Sequence, residues 1–357
     1  MIDARAIAFV EKGEIALVDI TVPEPGPSDV AVETELTAVS QGTDRAMVLG
    51  TYNGIEDRYP LIYGYSRVGR VTAVGGDVTG LAVGDRVFVG MGGTKLDPSG
   101  GFGPSGGGYT SVGVVDASDA VKLPETIDSA SAAVGALGAI AYQGVARSEV
   151  RAGSRVLVVG LGAIGQFSAL FSALAGAQVW VADPVTERLN LASRLSGATP
   201  VDVTKPLAEQ IEQTAWGYRP WPGRNDRPTS SYEKTRWSDA HGVVDVVIDA
   251  TGRPDAFEAY VPLLVREGTL CLQGYYTVPL TLDFHAAHMK RLTIHCPGGM
   301  DLFDYETVVR LLSTVDVSPL IGLEIPIAEV PEAVERLLLA GPAEVVSAVI
   351  RWSGGTS

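Results

Sequence analysis

The chain has 357 residues, of which 46% are hydrophobic and 19% are charged, and its formal net charge is −15. A chain of this length exceeds one ordinary hydrophobic core, so we expect two domains in a soluble globular protein. The acidic charge disfavours nucleic acid and anionic membranes as partners, and no segment reaches the ~18 uninterrupted apolar residues of a membrane span.

The first 125 residues are predicted to be all-β. Alternating runs at 29–36 and 67–74 are typical of half-buried strands, and a further turn and strand are expected at 84–89. Residues 100–108 contain six glycines, which indicates a mobile loop that is either a lid or a linker. The N-terminus lacks the ordered basic, apolar and cleavage regions of a signal peptide, so we expect a cytoplasmic protein.

From residue 129 the pattern becomes helical through 145, and strands then alternate with helices, which is typical of a doubly wound parallel sheet. The elements predicted there are 156–159, 178–182, 185–196, 207–214, 243–250, 256–265, 269–273 and 291–296. The end of the chain is predicted to return to the first domain with a helix and two strands, at 304–313, 323–325 and 347–351. The predicted domains are therefore 1–139 with 300–357, and 140–299.

The strand at 156–159 leads into a dinucleotide-binding fingerprint formed by Gly160, Gly162 and Gly165. The first glycine allows a tight turn, the second lets the backbone approach a pyrophosphate, and the third lets the helix pack closely on the strand. The helix N-terminus would bind the phosphates through its free N–H groups and its dipole. The predicted phosphate-binding residues are Gly160, Leu161, Gly162, Ala163, Ile164 and Gly165.

Asp183 ends the next strand, 23 residues after Gly160. Its carboxylate would accept hydrogen bonds from the adenosine ribose and repel a 2′-phosphate, which favours NAD(H) over NADP(H). Arg188 lies close enough to contact the cofactor and to keep NADP(H) possible. Because dinucleotides bind at the carboxyl ends of strands, further contacts are expected from Thr251, Gly252, Gln273, Gly274 and Tyr275. Tyr275 and Tyr276 would pack on the nicotinamide or cover the substrate, and as adjacent strand residues they would point to opposite faces.

Residues 215–242 form a long connection in which aromatic and basic residues are interspersed. Such a composition can bind a planar anionic ligand. A connection from a helix into a strand, however, lies at the amino ends of the strands, away from the dinucleotide. The position therefore favours a self-packed loop or a subunit contact over a substrate role.

The order of an all-β part, the 160–165 fingerprint and a C-terminal return resembles the medium-chain dehydrogenase/reductase superfamily. Specific matches are 41–44 (Gln-Gly-Thr-Asp), 64–66 (Gly-Tyr-Ser), 83–87 (Val-Gly-Asp-Arg-Val) and 249–252 (Asp-Ala-Thr-Gly). The resemblance implies an α/β fold with an N-terminal GroES-like β-rich catalytic domain, a doubly wound Rossmann cofactor domain, and a homodimer or homotetramer. Residues 39–44, 64–69 and 272–276 are most similar to the bacteriochlorophyllide-type dehydrogenases, which oxidise a hydroxyethyl side chain.

Zinc enzymes of this superfamily bind the catalytic metal with a Cys in Cys-Gly-Thr-Asp, a His in Gly-His-Glu and a third residue before the cofactor domain. The matching positions here are Gln41, Tyr65 with Ser66, and Ala136 or Gly135. None is a thiolate, imidazole or carboxylate, and a zinc site with three protein ligands needs such donors. The resemblance therefore implies an enzyme without zinc.

The other candidate metal ligands are His285, His288, His295 and Cys296. His285 and His288 are spaced for one helical face, but two histidines without a third donor favour ordinary helix or cleft residues. Cys271 and Cys296 cannot build a disulfide framework or a Cys-rich zinc lobe. His295 is expected to be a cleft residue or an interface residue.

Without a metal, hydrogen-bond donors must balance the charge on the substrate oxygen during hydride transfer. By resemblance, Tyr65 would donate to the oxyanion or act as general acid/base, Gln41 would polarise the same oxygen, and Thr43 would relay the alcohol proton. His295 is the reserve acid, and Tyr65 as a filler of the vacated metal cavity is the structural alternative.

The leading functional hypothesis is a zinc-independent, NAD(H)-dependent enzyme that interconverts a secondary alcohol and a ketone on a small-molecule substrate. An NAD(P)H-dependent ene reductase acting on a conjugated C=C is the first alternative. A cofactor-binding protein without catalysis is the second.

Overall fold

The computed structural model describes residues 1–52, 58–90, 93–96, 101–102, 107–215, 242–254, 257–341 and 344–352. The chain divides into two compact units, which are Met1–Ala139 with Met300–Ser357, and Ile140–Gly299. Most of the 215–242 connection and part of the glycine-rich stretch at 100–108 lie outside the described residues, so the expectations for both stay predictions.

The strands of the described residues are β1 (Ile2–Glu11), β2 (Glu14–Val22), β3 (Asp29–Val39), β4 (Leu61–Ile62), β5 (Arg67–Val74), β6 (Arg86–Val89), β7 (Val112–Asp116), β8 (Ala120–Lys122), β9 (Arg155–Val159), β10 (Gln178–Ala182), β11 (Thr199–Val201), β12 (Val244–Asp249), β13 (Leu264–Leu272), β14 (Thr293–His295), β15 (Ile321–Pro326) and β16 (Ser347–Arg351). Their helices are α1 (Gln41–Val48), α2 (Ser129–Arg147), α3 (Ala163–Leu174), α4 (Thr186–Ser196), α5 (Leu207–Thr214), α6 (Phe257–Tyr260), α7 (Phe284–Lys290), α8 (Leu302–Leu312) and α9 (Glu332–Glu335).

The first unit contains two sheets. One has the order β2-β1-β4, and the other has the order β15-β16-β3-β5-β6-β8, with β7 also paired to β3. The C-terminal strand β16 pairs antiparallel with β3, so the end of the chain completes the sheet of the N-terminal part. The predicted β-rich character of this unit is confirmed.

Helix α1 corrects the expectation that the first 125 residues are all-β. Its eight residues include the buried Ala46, Met47 and Val48, and the buried Asp44 lies in its first turn, where a carboxylate interacts favourably with the helix dipole. Three consecutive apolar residues do not establish a helical period, which is why the sequence pattern did not reveal the helix.

The second unit is built on a six-stranded sheet with the order β11-β10-β9-β12-β13-β14. Every neighbouring pair in it is parallel. This is the doubly wound arrangement, and the prediction of that fold is confirmed. The strand order reverses between β9 and β12, and ligands of such sheets bind outside the carboxyl ends at this point.

The predicted helix at 256–265 is wrong over its second half. Helix α6 is followed by a single 3₁₀ turn at Val261–Leu263, and β13 begins at Leu264. Pro262 lacks a backbone N–H and cannot continue an α-helix, so the apolar residues after it enter the sheet. The predicted strand at 291–296 is shortened to Thr293–His295, because Arg291 caps α7 with φ +53°.

The central strands of the second unit have almost entirely buried side chains. In β9 all five residues are buried, as expected for a parallel strand covered on both faces. Helix α2 is long and apolar enough to suit a membrane span, but most of it is buried inside the protein, as is usual for a core helix.

Candidate cofactor and catalytic sites

The glycine-rich loop after β9 has the backbone that the fingerprint requires. Gly160 has φ +81°, and a Cβ there would lie 2.9 Å from Thr251 Cγ2. A Cβ on Gly165 would lie 1.8 Å from the Gly160 carbonyl oxygen, whereas a Cβ on Gly162 would meet nothing within 4 Å. The loop is therefore packed against protein atoms at Gly160 and Gly165. At Gly162 it is open, so a ligand can approach the backbone there.

Helix α3 begins directly after Gly162. It has no side-chain cap at its N-terminus and no acidic residue in its first turn. The first N–H groups of a helix lack intrahelical partners and carry the positive end of its dipole. Leu161 is buried, whereas Ala163 and Ile164 are half-buried. The residues present thus fit a pyrophosphate held by backbone N–H groups.

Asp183 follows β10 directly and is 5% exposed. Its Oδ2 accepts a hydrogen bond from the Leu161 N–H at 2.7 Å, and its Oδ1 accepts one from the Val185 N–H at 2.8 Å. Arg188 Nη1 lies 4.0 Å from Oδ2. An ionised carboxylate offers about four acceptor positions, so two backbone bonds leave capacity for ribose hydroxyls. The carboxylate also fastens the glycine-rich loop to the end of β10.

The loops after β12 and β13 are joined through Asp249. Its Oδ1 accepts hydrogen bonds from the Thr251 N–H at 2.9 Å and hydroxyl at 2.6 Å. Its carbonyl oxygen accepts from the N–H groups of Gln273 and Gly274, at 2.8 and 2.9 Å. A Cβ on Gly274 would lie 2.3 Å from the Gly252 nitrogen, so the two turns are in backbone contact. These predicted cofactor residues therefore lie together at the carboxyl edge of the sheet.

The side chain of Gln273 is directed toward α2. Its Nε2 donates to the Ile140 carbonyl at 2.8 Å, so a contact between Gln273 and the cofactor would involve its main chain. Tyr275 and Tyr276 lie beyond the end of β13, and the expectation that they alternate as strand residues is wrong. Tyr275 is 39% exposed. Burial and the neighbouring Asp249 carboxylate raise the pKa of Tyr276.

We expect Asp183→Ala to lower NADH affinity by about 10- to 100-fold, because charge-assisted hydrogen bonds to the ribose are lost. NADPH affinity should fall less, since the repulsion of the 2′-phosphate disappears with the same substitution. Both affinities can be measured by nicotinamide fluorescence. The alanine also removes the bonds to Leu161 and Val185, and damage to the loop alone would weaken both cofactors equally, which would contradict the ribose role.

The positions that match zinc ligands carry side chains with other partners. Gln41 Nε2 donates to the Val345 carbonyl at 3.1 Å, and Ser66 Oγ donates to the Ala133 carbonyl. Ala136 is fully buried and offers only a methyl group. In the part of the chain that the structure describes, no three His, Cys, Asp or Glu side chains form a possible metal site. These donors do not fit the thiolate and imidazole chemistry of catalytic zinc.

Tyr65, which by the resemblance matches the imidazole ligand of the zinc enzymes, is buried and 6% exposed. The Ser40 and Thr43 side chains lie close enough to its hydroxyl to interact with it, so two of the predicted catalytic residues, Tyr65 and Thr43, are near each other. Its ring meets the Tyr63 ring edge to face at 6.0 Å between centroids. Burial and the nearby Asp44 carboxylate raise the pKa of Tyr65, which keeps the phenol protonated near neutral pH.

Among the described residues, His285, His288 and His295 are not grouped into a metal site. His285 and His288 are exposed on α7, and the His288 ring stacks on Phe284 with 5.4 Å between centroids. His295 is half-buried in β14, in register with Cys271 of β13. Burial raises the pKa of the Cys271 thiol to about 12, so this thiol is not a nucleophile at neutral pH.

The sequence analysis did not identify Asp44 and Tyr109 as residues near the candidate catalytic Tyr65. The Tyr109 hydroxyl donates to Asp44 Oδ2, although the two residues are 65 positions apart. Asp44 stands in the Gln-Gly-Thr-Asp match, and Tyr109 directly follows the glycine-rich stretch. Asp44 could have been identified from its place in that match. No sequence spacing connects Tyr109 to Tyr65.

Two family models match the chain. One is described as the alcohol dehydrogenase GroES-like domain and covers residues 26–125. The other is described as zinc-binding dehydrogenase and covers residues 163–314. The first lies in the β-rich unit, and most of the second lies in the unit with the parallel sheet.

Curated relatives match over most of their length. A putative D-xylulose reductase of Agrobacterium fabrum is 26% identical, with 96% of this chain and 97% of the relative covered. The 2-desacetyl-2-hydroxyethyl bacteriochlorophyllide A dehydrogenase of Rhodobacter capsulatus is 28% identical, with 87% and 86% covered. Similarity thus extends across both units.

Solved structures share the fold. A putative zinc-binding dehydrogenase from Sinorhizobium meliloti, bound to NADP, has a TM-score of 0.76 at 22% identity and covers 98% of this chain and 100% of its own. An alcohol dehydrogenase from Escherichia coli, complexed with NADH, has a TM-score of 0.78 at 21% identity, with 98% and 99% covered.

Proposed function

The chain belongs to the medium-chain dehydrogenase/reductase superfamily of oxidoreductases, and on this premise we propose that it interconverts a secondary alcohol and a ketone with NAD(H) and without zinc. The alcohol–ketone chemistry is supported by its relatives, which include a D-xylulose reductase and a hydroxyethyl-oxidising dehydrogenase. The substrate is a small molecule. A homo-oligomeric assembly and a cytoplasmic location stay predictions from the sequence.

The preference for NAD(H) is argued from Asp183. The buried carboxylate is fixed by two backbone N–H groups at the end of β10 and keeps acceptor capacity for vicinal ribose hydroxyls. A 2′-phosphate at the same position would meet a negative charge. Arg188 is the nearby cation that would offset that repulsion, and its 4.0 Å approach to Asp183 lessens its availability for a phosphate.

The proposal of zinc independence is carried by one observation. A buried phenol close to the Ser40 and Thr43 side chains stands where, by the resemblance, zinc enzymes of the superfamily carry an imidazole. When bound, NAD(H) supplies or accepts the hydride. In the direction of ketone reduction, Tyr65 donates a hydrogen bond and then a proton to the substrate oxygen, for which its raised pKa keeps the phenol in the required form.

Thr43 and Gln41 complete this arrangement. The Thr43 hydroxyl lies close to the phenol and passes a proton between Tyr65 and solvent in either direction. The Gln41 amide has two N–H donors, and one of them is used by the Val345 carbonyl. The other polarises the substrate oxygen.

We expect purified enzyme to contain far less than one zinc per chain, measured by inductively coupled plasma mass spectrometry. Incubation with dipicolinate should leave ketone reduction unchanged, because no step depends on a metal. One tightly bound zinc per chain, together with loss of activity on chelation and recovery on zinc addition, would contradict the proposal.

A further inference from the structure

Asp44 is a buried carboxylate with a specific set of partners. It is 1% exposed, and its Oδ2 accepts hydrogen bonds from the Ser40 N–H at 3.0 Å and from the Tyr109 hydroxyl. In the part of the chain that the structure describes, its Oδ1 has no hydrogen-bond partner. Burial raises the pKa of Asp44 to about 7 in spite of these bonds. An incompletely satisfied buried carboxyl is unfavourable for stability, so its presence calls for a functional explanation.

Ser40 is hydrogen-bonded to Asp44 and lies close to the Tyr65 phenol. The Asp44 N–H donates to the Ser40 carbonyl at 2.8 Å, and the Ser40 N–H donates back to the Asp44 side chain. These reciprocal bonds fix the turn that starts α1. The same turn carries the Ser40 and Thr43 side chains, which lie close to the Tyr65 hydroxyl. Movement of Asp44 would therefore displace two side chains that lie next to the phenol.

Tyr109 joins this turn to the segment that carries Tyr65. Its N–H donates to the Tyr63 carbonyl at 2.9 Å, and the preceding Gly108 N–H donates to the Gly64 carbonyl at 3.0 Å. Gly64 has φ +90°, and a Cβ there would lie 2.9 Å from the Tyr109 ring. Tyr109 is thus packed on the backbone next to Tyr65 and bonded through its hydroxyl to Asp44.

We propose that Asp44 and Tyr109 form a positioning pair that holds the Tyr65 hydroxyl in place for proton donation. The pair fixes the two segments whose side chains meet at the phenol, the first turn of α1 and residues 63–65. Neither residue touches the substrate in this account, and both act through Ser40, Thr43 and the Gly64 backbone. The inference rests on the proposed function, since it assigns a purpose to the placement of Tyr65.

The first test needs no substrate. Protein labelled with ¹³C at the tyrosine Cζ gives one NMR signal per tyrosine, and the Tyr65 signal is the one absent from Tyr65→Phe. We expect this signal to shift in both Asp44→Asn and Tyr109→Phe. Tyr305→Phe is the matched control, because it removes a buried hydroxyl that donates to the Ala132 carbonyl at 2.9 Å. An unmoved Tyr65 signal in both positioning variants would overturn the proposal.

The second test measures ketone reduction by the same variants, using the ketone with the highest turnover in a panel. We expect kcat to fall about 10- to 100-fold in Asp44→Asn and Tyr109→Phe, with KM nearly unchanged, because misplacement of the donor affects the transition state more than binding. Tyr109→Phe keeps the ring and serves as the measured variant if Asp44→Asn does not fold. If both variants had the wild-type kcat while Tyr65→Phe showed the expected loss of ketone reduction, the positioning role would be refuted. Full activity of Tyr65→Phe itself would instead refute the proposed function.

Discussion

Replacing Tyr65 by Phe should lower the rate of ketone reduction by about 100-fold or more, the usual contribution of a positioned proton donor. The substitution removes only the hydroxyl, and the ring that packs against Tyr63 is retained. NADH affinity should stay at the wild-type value, because the residues proposed to hold the cofactor belong to the unit with the parallel sheet.

The measurement is single-turnover hydride transfer, followed by NADH absorbance after mixing with an active ketone, with NADH affinity determined on the same sample. Tyr305→Phe again controls for the loss of a buried hydroxyl from the same unit. A Tyr65→Phe rate equal to wild type would make Tyr65 a filler of the vacated metal cavity, and the catalytic assignment would be wrong.

Alanine substitutions at two glycines of the phosphate loop should have different effects on NADH affinity and on folding. We expect Gly162→Ala to fold normally, because its Cβ meets no protein atom within 4 Å and its φ of −67° suits any residue. The added methyl group lies where the pyrophosphate approaches the backbone, so NADH affinity should fall about 10- to 100-fold, as for a steric cost of 1–3 kcal/mol.

Gly165→Ala should behave differently. Its Cβ would lie 1.8 Å from the Gly160 carbonyl oxygen, a distance that forces the turn and α3 apart. We expect a lower thermal midpoint together with weak NADH binding, whereas Gly76→Ala, which meets no atom within 4 Å, should change neither. If Gly162→Ala bound NADH as tightly as wild type, the loop would not be the pyrophosphate site.

Local patterns predicted the fold where one segment determines its own structure. The strand at 67–74 and the final strand at 347–351 were placed at their observed bounds, and the parallel sheet followed from the alternation of elements. The fingerprint was readable because each glycine has a separate steric reason. Helix α1 was missed because its apolar run is too short to show a period, and the helix expected at 256–265 was interrupted at Pro262.

The catalytic cluster was only partly predictable, because it depends on contacts between distant segments. Resemblance pointed to Tyr65 and Thr43, but it gave no reason to join Tyr109 to Asp44 across 65 positions. The direction in which a side chain points could not be predicted from the sequence either. Gln273 was expected at the cofactor from its place after a strand, yet its amide donates to α2.

Cofactor preference and substrate class, measured together on metal-depleted protein, decide whether the protein is a zinc-independent, NAD(H)-dependent alcohol–ketone oxidoreductase. NADH and NADPH binding would be compared by nicotinamide fluorescence, and oxidation of the bound cofactor would then be followed with paired ketones and enones. Tighter binding of NADH with turnover of ketones is the predicted result. Tighter binding of NADPH with turnover of enones, or turnover only after zinc is added, would contradict the account.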